Sequence, residues 1–155
     1  MKKPAHSKGF TLVEVLIALV VLAIGLLGMA SLMMNSLQSS QGAYLRSQAS
    51  LLTYDIVERM RANHGQAISS DAYTLAENTG TTSDPGCKSS GCSPSAQAQL
   101  DLHEWRAALD AGIPGAKAII ERENGNEYTI KISWEEASAL QQTTENLHFE
   151  LRIDL

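Results

Sequence analysis

From Val15 to Met34 the chain runs for 20 residues in which Ser31 carries the only polar side chain. As an α-helix rising about 1.5 Å per residue, such a run spans about 30 Å, the thickness of a bilayer's hydrocarbon core. A segment of this kind must lie in lipid or among other apolar helices, because Ser31 alone offers water a side-chain partner. It also accounts for the composition. Twenty of the 25 residues from Phe10 to Met34 are hydrophobic, against 44% for the whole 155-residue chain, so the remainder is ordinary for one small soluble domain.

Charge sets the orientation. Lys2, Lys3 and Lys8 precede the run and the next basic residue is Arg46, so the amino end stays cytoplasmic and residues after about 35 are exported. The net charge is −5, and the balance of charge downstream is acidic. Lacking a basic stripe to neutralise phosphates, the chain has no primary nucleic-acid partner.

Two readings compete for the amino end. A basic start, an apolar run and Gly28-Met29-Ala30 before Ser31 look like a secretory signal with its cleavage site. Glu14 argues against that. It is the only charged residue from Phe10 to Leu45, and a carboxylate in a membrane helix costs about 2.5 to 3.5 kcal/mol at the centre and less near the interface. Thr11 and Glu14 also have capping-box spacing, which would satisfy N–H groups at a helix start. That role and a functional one are compatible.

Lys8-Gly9-Phe10-Thr11-Leu12-Val13-Glu14-Val15-Leu16 resembles the class III signal of type IV pilins and type II secretion pseudopilins: Gly at the cut, Phe after it, and Glu five residues into the mature chain. The resemblance implies cleavage by prepilin peptidase between Gly9 and Phe10, N-methylation of Phe10 and retention of the apolar helix. Residues 1–9 are then a leader and 10–34 the membrane and filament-core half of a long helix. Nine basic and seventeen acidic side chains remain, a balance of −8. In the family, the carboxylate at the Glu14 position pairs with a neighbouring subunit's amino terminus, which offsets desolvation of the charge. Phe10 and Glu14 are thereby implied in subunit registration. Major pilins often carry a proline farther along this helix, whereas here none occurs between Pro4 and Pro85; Gly25 and Gly28 lower helix propensity instead, by about 1 kcal/mol each.

The helical pattern continues beyond the apolar run. Leu45, Ala49, Leu52, Ile56 and Met60 recur at helical spacing, Asp55/Arg59 and Glu58/Arg61 can pair along the surface, and Asn63-His64-Gly65 reads as a C-terminal cap. One helix from about 11 to about 63 follows, with 35–63 as its amphipathic half. A coiled-coil stalk is excluded because Asn35 to Gly42 contains Leu37 as its sole large apolar residue.

Residues 64–155 form the expected head domain. Residues 64–92 are rich in Ser, Thr, Gly, Asn and Asp and read as an irregular, solvent-facing loop. Cys87 and Cys92 are two thiols about a turn apart in an exported segment, so a disulfide is expected. Metal binding is the weaker reading, since C-x₄-C supplies two ligands and His6, His64, His103 and His148 are scattered. Ser93 and Pro94 start a further helix bearing Ala98, Leu102, Trp105 and Leu109 on one face, ended by Gly112-Ile113-Pro114-Gly115. Asp101, His103 and Glu104 on that helix diverge and read as a solvated face.

Strand alternation closes the chain. Ala116 to Arg122 is a short strand, and Asn124-Gly125 is a hairpin signal. Tyr128, Ile130, Ile132 and Trp134 alternate with polar residues, as do Leu147, Phe149, Leu151, Ile153 and Leu155. The fold class is α+β: a long N-terminal helix packed by its second half on a small antiparallel sheet, with a second short helix. The last strand is expected at a sheet edge.

Glu58-Arg59-Met60-Arg61-Ala62-Asn63, Cys92-Ser93-Pro94, Ala98, Asp101-Leu102, Trp105, Leu109 and Ile113-Pro114-Gly115 further resemble PilV-type minor pilins. This resemblance implies a non-enzymatic protein of type IV pilus biogenesis, held in the inner membrane by a single pass with a periplasmic head, then carried into the fibre. It implies priming of assembly at the tip, in support of twitching motility and adhesion. Implied partners are prepilin peptidase, other minor pilins, the major pilin, the inner-membrane assembly platform and a tip adhesin. No nucleophile elbow, P-loop, zincin helix or dinucleotide fingerprint is present, and no cofactor is implied. A minor pseudopilin of type II secretion and a conventionally secreted binding domain are the alternatives.

Overall fold

A computed structural model describes residues 9–77, 82–138 and 143–155. The leader lysines Lys2, Lys3 and Lys8 fall outside the described residues. The chain divides into two units, residues 1–39 and 40–155.

In the first unit, residues from Leu12 onward belong to helix α1, Leu12–Ala62. Every large apolar side chain from Phe10 to Leu37 is at least half exposed, with Phe10 at 83%. This is the one described helix long and apolar enough to cross a membrane. Leu, Val, Ile and Met all round a helix leave no polar face to turn toward water, so lipid or neighbouring helices must supply the cover.

The second unit opens with the remainder of α1, whose buried residues are Gly42, Ala49, Thr53, Ile56, Val57 and Met60. Leu45 and Leu52 pack against the same core, so the periodic stripe read from the sequence is the buried face. Thr53 is tolerated there because its hydroxyl donates to the Ala49 carbonyl at 2.8 Å; a buried hydroxyl with no such acceptor would cost about 1–3 kcal/mol.

Two expectations need correction. Helix α1 ends at Ala62, where the cap was expected, but the segment after it is not irregular throughout: a short helix α2, His64–Ser69, follows directly. Gly65 weakens it, but partners distant in sequence hold its end, since the Tyr128 hydroxyl donates to the Ala67 carbonyl at 2.7 Å and Arg122 donates to the Ile68 carbonyl. Nor does the following segment simply face solvent. Tyr73 and Leu75 are buried, and Leu75 forms an isolated antiparallel bridge with Ile120.

Helix α3, Pro94–Gly112, starts as expected, with Ser93 accepting from the Ala96 N–H at 3.3 Å and Pro94 in the first turn. Ala98, Leu102, Trp105 and Leu109 are buried. Trp105 is fully buried, and its indole N–H donates to the Leu52 carbonyl of α1 at 2.7 Å, locking the two helices together. At Gly115 the backbone takes φ +78°, which turns the chain from the helix into the sheet without β-carbon strain.

Three antiparallel strands follow in the order β1 (Lys117–Arg122), β2 (Glu127–Ser138) and β3 (Thr143–Asp154). Gly125, at φ +64°, makes the β1–β2 turn. Both β2 and β3 run several residues farther than their apolar alternation, because backbone pairing carries Glu135, Glu136 and their partners Asn146 and Glu145 beyond the apolar rows. The face toward the helices presents Ala118, Ile120, Tyr128, Ile130, Ile132 and Trp134, all at most 4% exposed. The matching row on β3, Leu147 to Leu155, is only partly buried.

Candidate processing and assembly segment

The segment begins at Gly9 and Phe10, which lie outside regular structure immediately before α1 and are exposed. Thr11 caps the helix: its hydroxyl accepts the Glu14 N–H at 3.3 Å, and its carbonyl accepts the Val15 N–H at 3.3 Å. Glu14 thus occupies the first turn, where a carboxylate is favoured by the helix dipole. The return bond of a full capping box, donated by the Thr11 N–H to the Glu14 carboxylate, is not made among the described residues. The carboxylate is left exposed on an apolar face that it shares with Phe10, Val15, Ala18, Leu19 and Leu22. Gly9, Phe10 and Glu14 are therefore neighbours on one helix start, and their backbone geometry leaves the charge available to another group.

Cys87 and Cys92 belong to the other unit and are joined in a disulfide, with Cα atoms 5.0 Å apart. Their loop is attached to α3 by a polar cluster that sequence reasoning missed. Lys88, inside the disulfide loop, meets Glu104 Oε1 at 2.5 Å, and Arg59 of α1 meets Glu104 Oε2 at 2.9 Å. Hydrogen bonds from Lys88 and then Arg59 hold the Glu104 carboxyl below the usual carboxylate range. Arg59 also bonds Asp55 at 3.1 Å and lies 3.6 Å from Asp101.

Asp101 corrects the reading of a solvated face. It is buried, and accepts from the Tyr73 hydroxyl at 2.6 Å and from Gln97 Nε2 at 2.8 Å. Asn63 Nδ2 donates to the Tyr73 oxygen at 3.1 Å. Burial, and then the bond to Asp101, push the Tyr73 phenol well above its ordinary range. The cluster ties the end of α1, α3 and two loops together. No group of three or more His, Cys, Asp or Glu suited to a metal occurs among the described residues.

A long apolar-to-amphipathic helix, a further helix and a three-stranded antiparallel sheet make up the type IV pilin fold. Residues 31–103 match the family described as "Type IV pilin Tt1218". Residues 4–30 match the prokaryotic N-terminal methylation motif. The two matches abut at residues 30 and 31, and together they support a type IV pilin with an N-methylation signal. Neither a curated protein nor a solved structure matches the chain.

Proposed function

We propose that this chain is a PilV-type minor pilin, cleaved between Gly9 and Phe10, methylated at Phe10, and used to prime type IV pilus assembly at the tip. The observation that carries the reading is the helix start. A lone carboxylate, Glu14, is retained at the head of an exposed apolar helix, directly within the matched methylation motif. A charge that lipid disfavours is stabilised if a neighbour brings an opposite charge, and the methylated amino terminus of Phe10 on an adjacent subunit is that group. The reaction of this protein is assembly: the apolar half of α1 leaves lipid and enters a bundle of identical or similar helices. Its partners are prepilin peptidase, other minor pilins, the major pilin, the inner-membrane platform and a tip adhesin, and its setting is the inner membrane with a periplasmic head. Twitching motility and adhesion follow from the fibre.

Intact mass of the mature protein tests the reading. A chain starting at methylated Phe10 is expected; one starting at Ser31 means a conventionally secreted domain. Deletion of the protein, read by surface piliation and type II secretion, separates pilin from pseudopilin. Loss of secretion with normal pili overturns the pilus assignment.

A further inference from the structure

The last strand lies at a sheet edge, as expected, and the two edges differ. On the outer side of β1, Leu75 and Ile120 exchange backbone hydrogen bonds at 2.9 Å each way. On the outer side of β3 no backbone hydrogen bond is made among the described residues. The Leu155 N–H donates to the Asn126 carbonyl, and the unbroken register with β2 carries that phase along the strand, so the odd-numbered residues of β3 bond to β2. The N–H and C=O groups of His148, Glu150, Arg152 and Asp154 therefore point to the open edge. Natural sheets guard such an edge with proline, lysine, a bulge or a very short strand. β3 has none of these: it is 12 residues long, contains no Pro or Lys, and pairs with β2 without interruption.

The edge does carry charge, which keeps copies apart when like faces like. Along the outer face the order is His148, Glu150, Arg152, Asp154, and about Leu151 that order is its own complement. Set antiparallel to a second β3 with Leu151 facing Leu151, Glu150 stands opposite Arg152 and His148 opposite Asp154, each pair occurring twice. These are the residues whose backbone groups face the edge, so each charged pair is also a hydrogen-bonded pair of the ladder. On the opposite face Phe149 meets Ile153 and Leu147 meets Leu155. That row is only partly buried in one chain, whereas the equivalent rows of β1 and β2 are closed, so each of its side chains gains an apolar neighbour. Neighbouring registers lose the match. A slip of two residues, the smallest that keeps side chains on their faces, sets Glu150 against Glu150 or Arg152 against Arg152.

We infer that β3 pairs with β3 of a second copy of this chain, joining the two sheets edge to edge with Leu151 at the two-fold axis. An edge built for a strand of another sequence is under no constraint to match itself. This one matches itself on both faces and in a single register. Within one chain Glu150 and Arg152 meet only along the strand, at 3.6 Å, with the arginine side chain 71% exposed; the second copy gives each a directly facing partner. Head-to-tail pairing is closed to the copies, because the Leu75 bridge occupies the outer edge of β1 that β3 would need. The contact belongs to the head and goes beyond the pilus reading without depending on it.

Backbone amide exchange on the full-length protein in detergent tests the inference. As the wild-type chain is concentrated, the edge amides of His148, Glu150 and Arg152 are expected to slow about tenfold or more. Glu150→Arg alone, or Arg152→Glu alone, sets like charges against each other beside the axis, so in either variant the edge is expected to stay open to exchange at the same concentration. Mixed in equal amounts, the two variants restore opposite charges at both positions, and the slowing is expected to return. Edge amides that exchange equally fast at every wild-type concentration overturn the inference, whether or not the variants fold. A mixture that exchanges as fast as its components also overturns it. So does protection seen only in sheared pili, which would give the edge to a different subunit. A mature chain starting at Ser31 overturns the pilin reading and leaves this pairing intact, so the two failures are distinguishable.

Discussion

The Tyr73 hydroxyl donates to Asp101 Oδ2 at 2.6 Å, joining a residue of a polar connecting loop to a buried carboxylate on α3. Removing the hydroxyl leaves Asp101 with Gln97 at 2.8 Å and Arg59 at 3.6 Å, fewer partners than a buried charge needs. Tyr73→Phe is therefore expected to destabilise the head by about 2 kcal/mol, in the range for hydrogen bonds to charged groups. Chemical denaturation of the two proteins measures this, and an unchanged midpoint removes the bond from the account of the fold.

The same phenol predicts a response to alkali. Its folded-state pKa is raised, first by burial and then by the bond to Asp101. The unfolded chain releases this proton near pH 10 while the folded chain keeps it. Stability from this group is thus fully present below about pH 10 and is lost as pH rises through the folded value. Tyr73→Phe should flatten the fall in melting temperature between neutral and strongly alkaline pH. Parallel curves for the two proteins would show that Tyr73 does not govern it.

Reduction should loosen the head without unfolding it. The Cys87–Cys92 bridge closes a short loop, which chain entropy values at about 2 kcal/mol. Its further effect is to hold Lys88 where it reaches Glu104. Cys87→Ser with Cys92→Ser should lower stability by about that amount and cost little more when Lys88→Ala is added, because the freed loop no longer presents the lysine. Full additivity of the two changes would mean that the disulfide does not position Lys88.

What the sequence made legible follows from the range of the interactions involved. The stripe from Leu45 to Met60, the Ser93-Pro94 helix start and the alternating strands are periodic or local signals, and each occurs in the structure where its pattern stands. Helix α2 escaped because Gly65 argues locally against it and its support comes from Arg122 and Tyr128, more than fifty residues away. Asp101 escaped for a similar reason. On a helical wheel it looks like a surface acid, and only the fold brings Tyr73 over it. Tyr73 and Leu75 were the available clue, as the large apolar residues in an otherwise polar loop. In the assembly segment, Thr11 and Glu14 were readable as a cap, but which half of the capping box forms needed coordinates.

Gly42 offers a test of competing magnitudes. A β-carbon there would collide with the Glu136 carboxylate, yet that group is the far end of a flexible side chain, and its Oε2 is buried with no hydrogen-bond partner. Turning the carboxylate aside sacrifices little, while alanine favours a helix over glycine by about 1 kcal/mol. Gly42→Ala is therefore expected to be tolerated or to stabilise the head by up to about 1 kcal/mol, measured by thermal unfolding. A clear loss of stability would mean that Glu136 is held where it stands.

Capping and assembly make opposite predictions for the start of α1. The Thr11 hydroxyl accepts from the backbone N–H of residue 14, so that bond is independent of the side chain there. If Glu14 served only the helix, Glu14→Gln would keep the cap, lighten the burden of a charge in lipid, and leave piliation normal. Thr11→Ala would then be the damaging change, at about 1 kcal/mol of helix stability. If Glu14 instead meets a neighbour's methylated Phe10, the order reverses: Glu14→Gln is inserted and cleaved at Gly9 but fails to enter pili, and Thr11→Ala assembles with modest loss. Head stability should be unaffected by either substitution, since residues 1–39 form their own unit. Counting surface pili for the two variants, beside the mass of each mature chain, decides between these outcomes; normal pili with Glu14→Gln would remove the carboxylate from assembly.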